Sequence, residues 1–160
     1  MRILGIDPGS RYTGWGLVRR EQNRYRYHAS GCLRLNPGHA LPVRLLALSE
    51  GIEAVLNEHG PACCAVEQIF TARNARSALV LGQARGVILC AVARRGIPLH
   101  EYSASQVKQA VVGTGRAGKE QVQRMVGMLL GLRGAIQEDE ADALAVALTH
   151  AAASRLELPG

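Results

Sequence analysis

The chain has 160 residues, 48% of them hydrophobic, which suits one compact domain and leaves no room for a second. No apolar run approaches the roughly 20 residues of a membrane span, and no charged leader precedes an apolar stretch, so we expect a cytoplasmic protein without a membrane partner. The net charge of +6, from 17 arginines and two lysines against 13 acids, favours a polyanionic partner, nucleic acid first; a basic surface that only maintains solubility is the alternative.

The predicted elements begin with three strands joined by short connections, the pattern of an antiparallel meander. A helix follows, with Pro42 in its first turn and Gly60 after its end, and then strands and helices alternate. This order predicts a single α/β domain over residues 1–160, with a mixed five-stranded sheet flanked by helices. The strands are predicted over Arg2–Ile6, Gly14–Arg20, Arg24–Leu35, Ala62–Val66 and Ile97–Glu101, and the helices over Val43–His59, residues 75–95, Ser103–Val112, Lys119–Leu132 and Asp139–Leu156.

The four cysteines, Cys32, Cys63, Cys64 and Cys90, show no CxxC spacing, and three of them lie in apolar segments. This pattern argues against a zinc site and against a disulfide framework. We therefore expect buried free thiols that pack as small hydrophobic side chains.

The carboxylates of the chain are placed unusually. Asp7 ends the first predicted strand, Glu67 ends the fourth, and Asp142 opens an alanine- and leucine-rich helix with Asp139 one turn before it. If the first and fourth strands pair, Asp7 and Glu67 lie side by side at the sheet edge where ligands bind in α/β proteins. Buried carboxylates are costly unless a cation or hydrogen bonds compensate them, and oxygen donors suit hard cations. The four acids therefore predict a site for Mg²⁺ or Mn²⁺, with room for two ions.

Each acid also has a structural explanation. Asp7–Ser10 is favourable turn chemistry, and acids between residues 138 and 142 suit the N-terminus of a helix. Glu67 fits such an explanation less well, because it directly follows five small apolar residues of a strand that should be buried on both faces. The joint pattern favours the active-site interpretation over separate structural roles.

The segment Gly113–Glu120 matches the spacing of a nucleotide-binding P-loop, G-x-x-x-x-G-K. The match fails because Glu120 stands where a Ser or Thr hydroxyl must bind Mg²⁺, and because Ser105–Val112 is predicted as helix where that motif needs a strand. We interpret the segment instead as a loop that contacts DNA phosphates, including Arg116, with Lys119 at the start of the next helix.

Phe70, the single phenylalanine, follows Glu67 by three residues and precedes Arg73, Asn74 and Arg76. An aromatic side chain beside a metal site can stack on the bases of opened DNA while the arginines bind phosphates. The alternative is an ordinary core anchor beneath a loop.

Several segments, in order along nearly the whole chain, together resemble the RuvC family of Holliday junction resolvases, bacterial endonucleases with an RNase H-like fold. The matching segments are ILGIDPGS at residues 3–10 with Thr13 and Gly14, EQIF at 67–70, SAL at 77–79 with LGQARG at 81–86, QVKQ at 106–109 with VVG at 111–113, and ADALA at 141–145 with Thr149 and His150.

The resemblance implies an endodeoxyribonuclease that makes symmetric nicks in two strands of a four-way DNA junction and leaves 5′-phosphate ends. It assigns Asp7, Glu67, Asp139 and Asp142 to Mg²⁺ binding, with two ions per site, and Lys119 to the neighbourhood of the scissile phosphate. Because the acidic cluster is dense, Glu138 or Glu140 could in principle replace Asp139 as a ligand; the family pattern favours Asp139.

Further implications concern DNA contacts and partners. Lys108 matches a DNA contact of the family, and Phe70 resembles the aromatic residue that its members place against bases. The helix from about Ser77 to Arg95 is similar to the one at the dimer interface of the family, which implies a homodimer. A branch-migration helicase complex is implied as a further partner.

Two other functions remain open on the sequence. A ribonuclease H-type enzyme that cuts RNA–DNA hybrids would use the same carboxylates, because surface shape sets the substrate. A structure-specific DNA-binding module with vestigial acids would need none of them.

Overall fold

The computed structural model describes residues 1–22, 24–69 and 74–154, and within them the predicted order of strands and helices is confirmed. The strands are β1 Arg2–Asp7, β2 Tyr12–Glu21, β3 Arg24–Arg34, β4 Cys63–Glu67 and β5 Leu99–Tyr102; the helices are α1 Leu41–His59, α2 Ala75–Arg94, α3 Ala104–Val112, α4 Lys119–Leu130 and α5 Glu138–Ala153.

The strands form one mixed sheet in the order β3-β2-β1-β4-β5. The first three strands pair antiparallel as a meander, whereas β4 runs parallel to both β1 and β5. The register of β1 with β4 pairs Ile6 with Val66. The residues that follow this pair are Asp7 on β1 and Glu67 on β4. The two strand ends therefore lie side by side, and this prediction is confirmed.

Two apolar layers sandwich the sheet. Side chains alternate across a strand, so Ile3 of β1 packs with α3, α4 and α5 on one face, while Leu4 and Ile6 pack with α1 and α2 on the other. The centre of β4, Cys63–Val66, is buried on both faces, as expected for a parallel central strand.

Local sequence signals set several helix ends. Ser103 and Gln106 form a reciprocal capping box at the start of α3, which confirms Ser103 as a cap. Helix α4 ends at Leu130, two residues before the predicted end, because Gly131 adopts a left-handed conformation with φ of 63°. Helix α5 ends at Ala153; the predicted continuation to Leu156 lies partly in residues 155–160, outside the described range.

The four cysteines are free, as predicted, but burial is not uniform. Cys63 and Cys64 are buried, Cys32 is partly buried and Cys90 is exposed. The expectation of buried thiols is therefore wrong for Cys90. The apolar sequence around it belongs to α2, and Cys90 lies on the face of that helix that does not meet the core.

Helix α2 also corrects the expectation about long apolar runs. Of the described helices it alone has the length and composition to cross a membrane. One such helix is weak evidence for a membrane, and α2 packs one face on the core through Ala84, Ile88 and Val92. Most of its apolar stretch is exposed within this chain, so α2 leaves an uncovered apolar face.

Candidate active site

The candidate site lies at the end of the sheet where β1 and β4 stop. Asp7 is the last residue of β1 and Glu67 the last residue of β4, and both are partly buried. The connection after Asp7 is secured by Thr13, whose hydroxyl accepts from the Gly9 N–H and donates to the Gly9 carbonyl, both at 3.3 Å. Two carboxylates thus lie next to each other at the carboxyl ends of adjacent strands.

Helix α5 brings the other two acids to this edge because glycines let it lie directly on the sheet. A Cβ atom on Gly5 would lie 1.9 Å from the carbonyl oxygen of Ala143, and one on Gly14 would lie 2.0 Å from that of Asp139. No side chain larger than hydrogen fits at either position. The close contact sets the first turns of α5, with Asp139 and Asp142, beside Asp7.

The electrostatics show that the four carboxylates act on one another. The pKa of Asp7 is raised to about 8 by all of its surroundings together, and burial is the largest cause. Like-charge repulsion adds to the shift, in the order Asp142, Glu67 and Asp139. Burial, and then repulsion from Asp142, also raises the pKa of Glu67. The negative charge of this cluster is not balanced by the positive charges around it. Its donor atoms are all oxygens, which fit a hard divalent cation.

Lys119, at the first position of α4, supplies part of the missing positive charge. Its Nζ atom lies 3.2 Å from Oδ2 of Asp142 and also forms a close ion pair with Glu138. Burial lowers the pKa of Lys119, but its bonds to Glu138 and Asp142 outweigh this and raise it. The side chain is therefore a fixed cation at the edge of the acidic cluster.

Glu138 and Glu140 contact different partners, and Glu138 stays beside the cluster because its ion-pair partner Lys119 also contacts Asp142. Glu138 pairs with Lys119 of α4, and Glu140 accepts a hydrogen bond of 2.5 Å from the Ser30 hydroxyl of β3. Successive helical residues are about 100° apart, so the acids that flank Asp139 reach different elements. Both glutamates thus attach the first turn of α5 to its neighbours, a role that the sequence alone did not reveal.

Within the described residues, no three acidic, histidine or cysteine side chains already converge as a closed metal centre. Lys119 pairs with Asp142, so one carboxylate of the acidic cluster already has a cationic partner.

A cleft of about 290 Å³ opens beside the acids. Its charged wall consists of Glu67, Asp142, Lys108 and Lys119, and Ala104 and Val107 of α3 contribute apolar lining. Lys108 also lowers the pKa of Glu67, although burial dominates and the net shift is upward. Two lysines therefore face the carboxylates across the cleft, as expected for a site that admits an anionic group.

The remaining predicted DNA contacts do not line this cleft where the structure describes them. Asn74 caps α2, its side chain accepting from the Ser77 N–H at 2.9 Å, and Arg76 is exposed in the first turn of that helix. Arg116 is exposed in the connection between α3 and α4. Phe70 and Arg73 lie outside the described residues.

Comparison with known proteins decides the family. The family model of the crossover junction endodeoxyribonuclease RuvC matches residues 3–150. The chain belongs to the RuvC family. Its relatives include RuvC of Cupriavidus metallidurans, 51% identical over 151 residues, which are 94% of this chain and 83% of that protein. RuvC of Pseudomonas entomophila is 54% identical over 149 residues, covering 93% and 85% of the two chains.

Solved structures agree with this membership of the RuvC family. Thermus thermophilus RuvC superimposes with a TM-score of 0.90 at 36% identity, over 98% of this chain and 97% of that one. The complex of T. thermophilus RuvC with a Holliday junction substrate gives a TM-score of 0.93, again at 36% identity, over 98% and 96%. The predicted RNase H-like fold is confirmed.

Proposed function

We propose that the protein is a structure-specific endodeoxyribonuclease that resolves four-way Holliday junctions in recombination and DNA repair. Its membership of the RuvC family carries the assignment. The observation that ties this activity to the fold is the convergence of acids from β1, β4 and α5 beside a cleft with two lysines. The net charge of +6 supports binding of a polyanion.

We propose that Asp7, Glu67, Asp139 and Asp142 hold Mg²⁺, with Mn²⁺ as a substitute and two ions per site. The oxygen-only donor set and the raised pKa of Asp7 support a hard cation there, because such a cation compensates both burial and repulsion. When bound by these four residues, such ions would supply activation of the attacking water and stabilisation of the leaving oxygen of the phosphodiester.

The other residues of the site bind and orient the substrate. Lys119 begins α4, where free backbone N–H groups and the helix dipole add to its positive charge at a scissile phosphate. Lys108 binds the phosphate backbone of the DNA strand from the α3 side of the cleft. In hydrolysis the oxygen of water forms a new bond to phosphorus, the P–O3′ bond breaks, and the phosphate stays on the 5′ end. The water gives up a proton to solvent or a carboxylate, and the leaving O3′ takes one up from solvent to become a 3′ hydroxyl.

The DNA contacts beyond the cleft are part of the same proposal. Arg76 and Arg116 are exposed and suit phosphate binding, and the guanidinium of Arg73 offers the same chemistry. Asn74 offers its exposed backbone at the start of α2. Phe70 is the candidate for stacking on junction bases.

We also propose a homodimer formed through α2, a cytoplasmic location and cooperation with a branch-migration helicase complex. Symmetric nicks need two active sites, and the described chain provides one acidic cluster. The uncovered apolar face of α2 supports pairing of two copies.

The test compares wild type with Asp7→Asn on a four-way junction, linear duplex and RNA–DNA hybrid, with Mg²⁺. We expect paired nicks on the junction alone, lost by at least about a hundredfold in the mutant because a ligand charge is removed. Junction binding without Mg²⁺ should stay within about twofold of wild type, since Asp7 contributes no positive charge to phosphates.

Two outcomes of that test would contradict the proposal. Cleavage of the hybrid in place of the junction would indicate a ribonuclease H-type substrate. Equal junction binding by both proteins, with no cleavage by either in Mg²⁺ or Mn²⁺, would indicate a DNA-binding module.

A further inference from the structure

The first half of α2 lies outside the core. None of its residues from Ala75 to Gln83 is buried, and Ala84 is the first residue of the helix to enter the apolar layer. We call residues 75–83 the α2 arm. Within one copy of the chain no residue of the arm is buried, so the contacts that hold the arm to its own body lie where the helix first enters the apolar layer.

Arg85 lies at that point. Its Nη2 atom donates a hydrogen bond of 2.8 Å to Oε1 of Glu101 on β5, and 18% of its side chain is exposed. Its Nε atom is buried without a hydrogen-bond partner among the residues that the structure describes. The Arg85 side chain is thus mostly covered, whereas that of Glu101 is 38% exposed, and a charge-assisted hydrogen bond joins the two.

The same carboxylate meets the residue that follows Glu67. Oε2 of Glu101 lies 3.5 Å from Nε2 of Gln68, a long hydrogen bond. The backbone N–H of Gln68 donates to the Tyr102 carbonyl at 2.8 Å, which is the firmer attachment. The end of β5 therefore holds both the chain just after a candidate metal ligand and the first anchored turn of α2.

We propose that Arg85 and Glu101 are positioning residues that fix the α2 arm relative to the end of β4. Each oxygen of Glu101 has one partner, Arg85 on α2 and Gln68 beside Glu67, so a single carboxylate joins the two. The pair keeps the arm, which carries Arg76, at a set distance from the acidic cluster. The catalytic consequence of this inference rests on the proposed function, whereas the attachment is a property of the fold.

The attachment is tested by amide hydrogen exchange of the full-length protein without metal or DNA. Glu101→Gln and Arg85→Gln should each make exchange in residues 75–83 at least about fivefold faster, because a charged anchor is lost at the base of the arm. The matched control is Glu53→Gln, which removes the carboxylate that Arg95 contacts through Nε at 3.0 Å, beyond the opposite end of α2. Equal exchange of the arm in all four proteins would overturn the proposal.

The positioning role is tested on a four-way junction with saturating Mg²⁺. We expect kcat to fall at least about tenfold in Glu101→Gln and Arg85→Gln, with KM within about twofold of wild type. A misplaced α2 arm slows the chemical step more than it weakens binding of the junction. The charge swap of Arg85→Glu with Glu101→Arg should recover a substantial part of kcat. Faster exchange of the arm with unchanged kcat would overturn the positioning role.

The two hypotheses fail in different ways. If wild type does not cut the junction, the proposed function fails, while the exchange experiment still tests the attachment of the arm. If wild type cuts and the variants match it in both readouts, the positioning inference alone fails.

Discussion

At the scale of single residues, burial of Asp7 destabilises its charged form in the folded protein. Burial and, after it, repulsion from the nearby carboxylates together raise its pKa from an ordinary value of 3.8 to about 8. The folded protein without metal therefore keeps a proton on Asp7 that the unfolded chain loses near its ordinary pKa. Because the folded state binds more protons between these pH values, the free energy of unfolding falls as the pH rises from about 4 to about 8 and then levels off.

Asp7→Asn should remove this penalty. In EDTA above about pH 8, we expect the mutant to melt several degrees higher than wild type, and the difference should vanish toward about pH 4. Thermal unfolding followed by circular dichroism across this range checks the prediction. Glu50→Gln, at an exposed position of α1, controls for the loss of one negative charge. A mutant that melts at or below the wild-type temperature at high pH would contradict the predicted strain at Asp7.

At the scale of elements, the position of α5 depends on the absence of side chains on β1 and β2. Gly14 faces Asp139, and Gly16 of the same strand faces Leu144, where a Cβ atom would lie 2.6 Å from the leucine side chain. The two glycines are two residues apart and therefore lie on the same face of β2. Helix α5 thus contacts the sheet backbone itself, which places its first turns directly against the strands that carry Asp7 and Glu67.

Gly14→Ala should displace the start of α5, because its methyl group would lie 2.0 Å from the Asp139 carbonyl oxygen. We expect a loss of about 1–3 kcal/mol of stability from overpacking and at least about a tenfold loss of junction cleavage. Denaturant unfolding and single-turnover cleavage measure the two effects. Gly127→Ala on α4 is the matched control, since nothing lies within 4 Å of its added methyl group and helix propensity should make it slightly stabilising. Normal cleavage by Gly14→Ala would show that α5 tolerates displacement.

The sequence predicted the elements and the strand-end acids because those signals are local. Apolar runs that stop at Asp7 and Glu67 define both the strands and the edge where they end. It did not predict which acid of residues 138–142 faces which neighbour, because that depends on where α4 and β3 lie in space. The partners of the flanking glutamates, Lys119 and Ser30, are 19 and 110 residues away.

At the scale of the whole molecule, the need for two incisions in a junction and the exposed apolar side chains both favour the proposed homodimer. A four-way junction has two symmetric strands to cut, and the described chain forms one acidic cluster at one end of its sheet. Large apolar side chains are exposed on the adjacent helices α1 and α2, with Val43 50%, Leu46 59% and Leu79 64% exposed. Such a surface is costly in water unless a second copy covers it.

Leu79→Glu should therefore weaken the dimer without unfolding the chain, because an exposed side chain contributes little to the monomer core. We expect light scattering after size exclusion to give a dimer for wild type and a monomer for the mutant at micromolar concentration. The monomer should nick one strand of a junction at a time, so that the fraction of paired incisions falls at least about tenfold. Met128→Glu, at a 70% exposed position on α4, provides the control and should remain dimeric. If Leu79→Glu stays dimeric while Met128→Glu dissociates, the contact between copies lies at the end of α4 and not on α2.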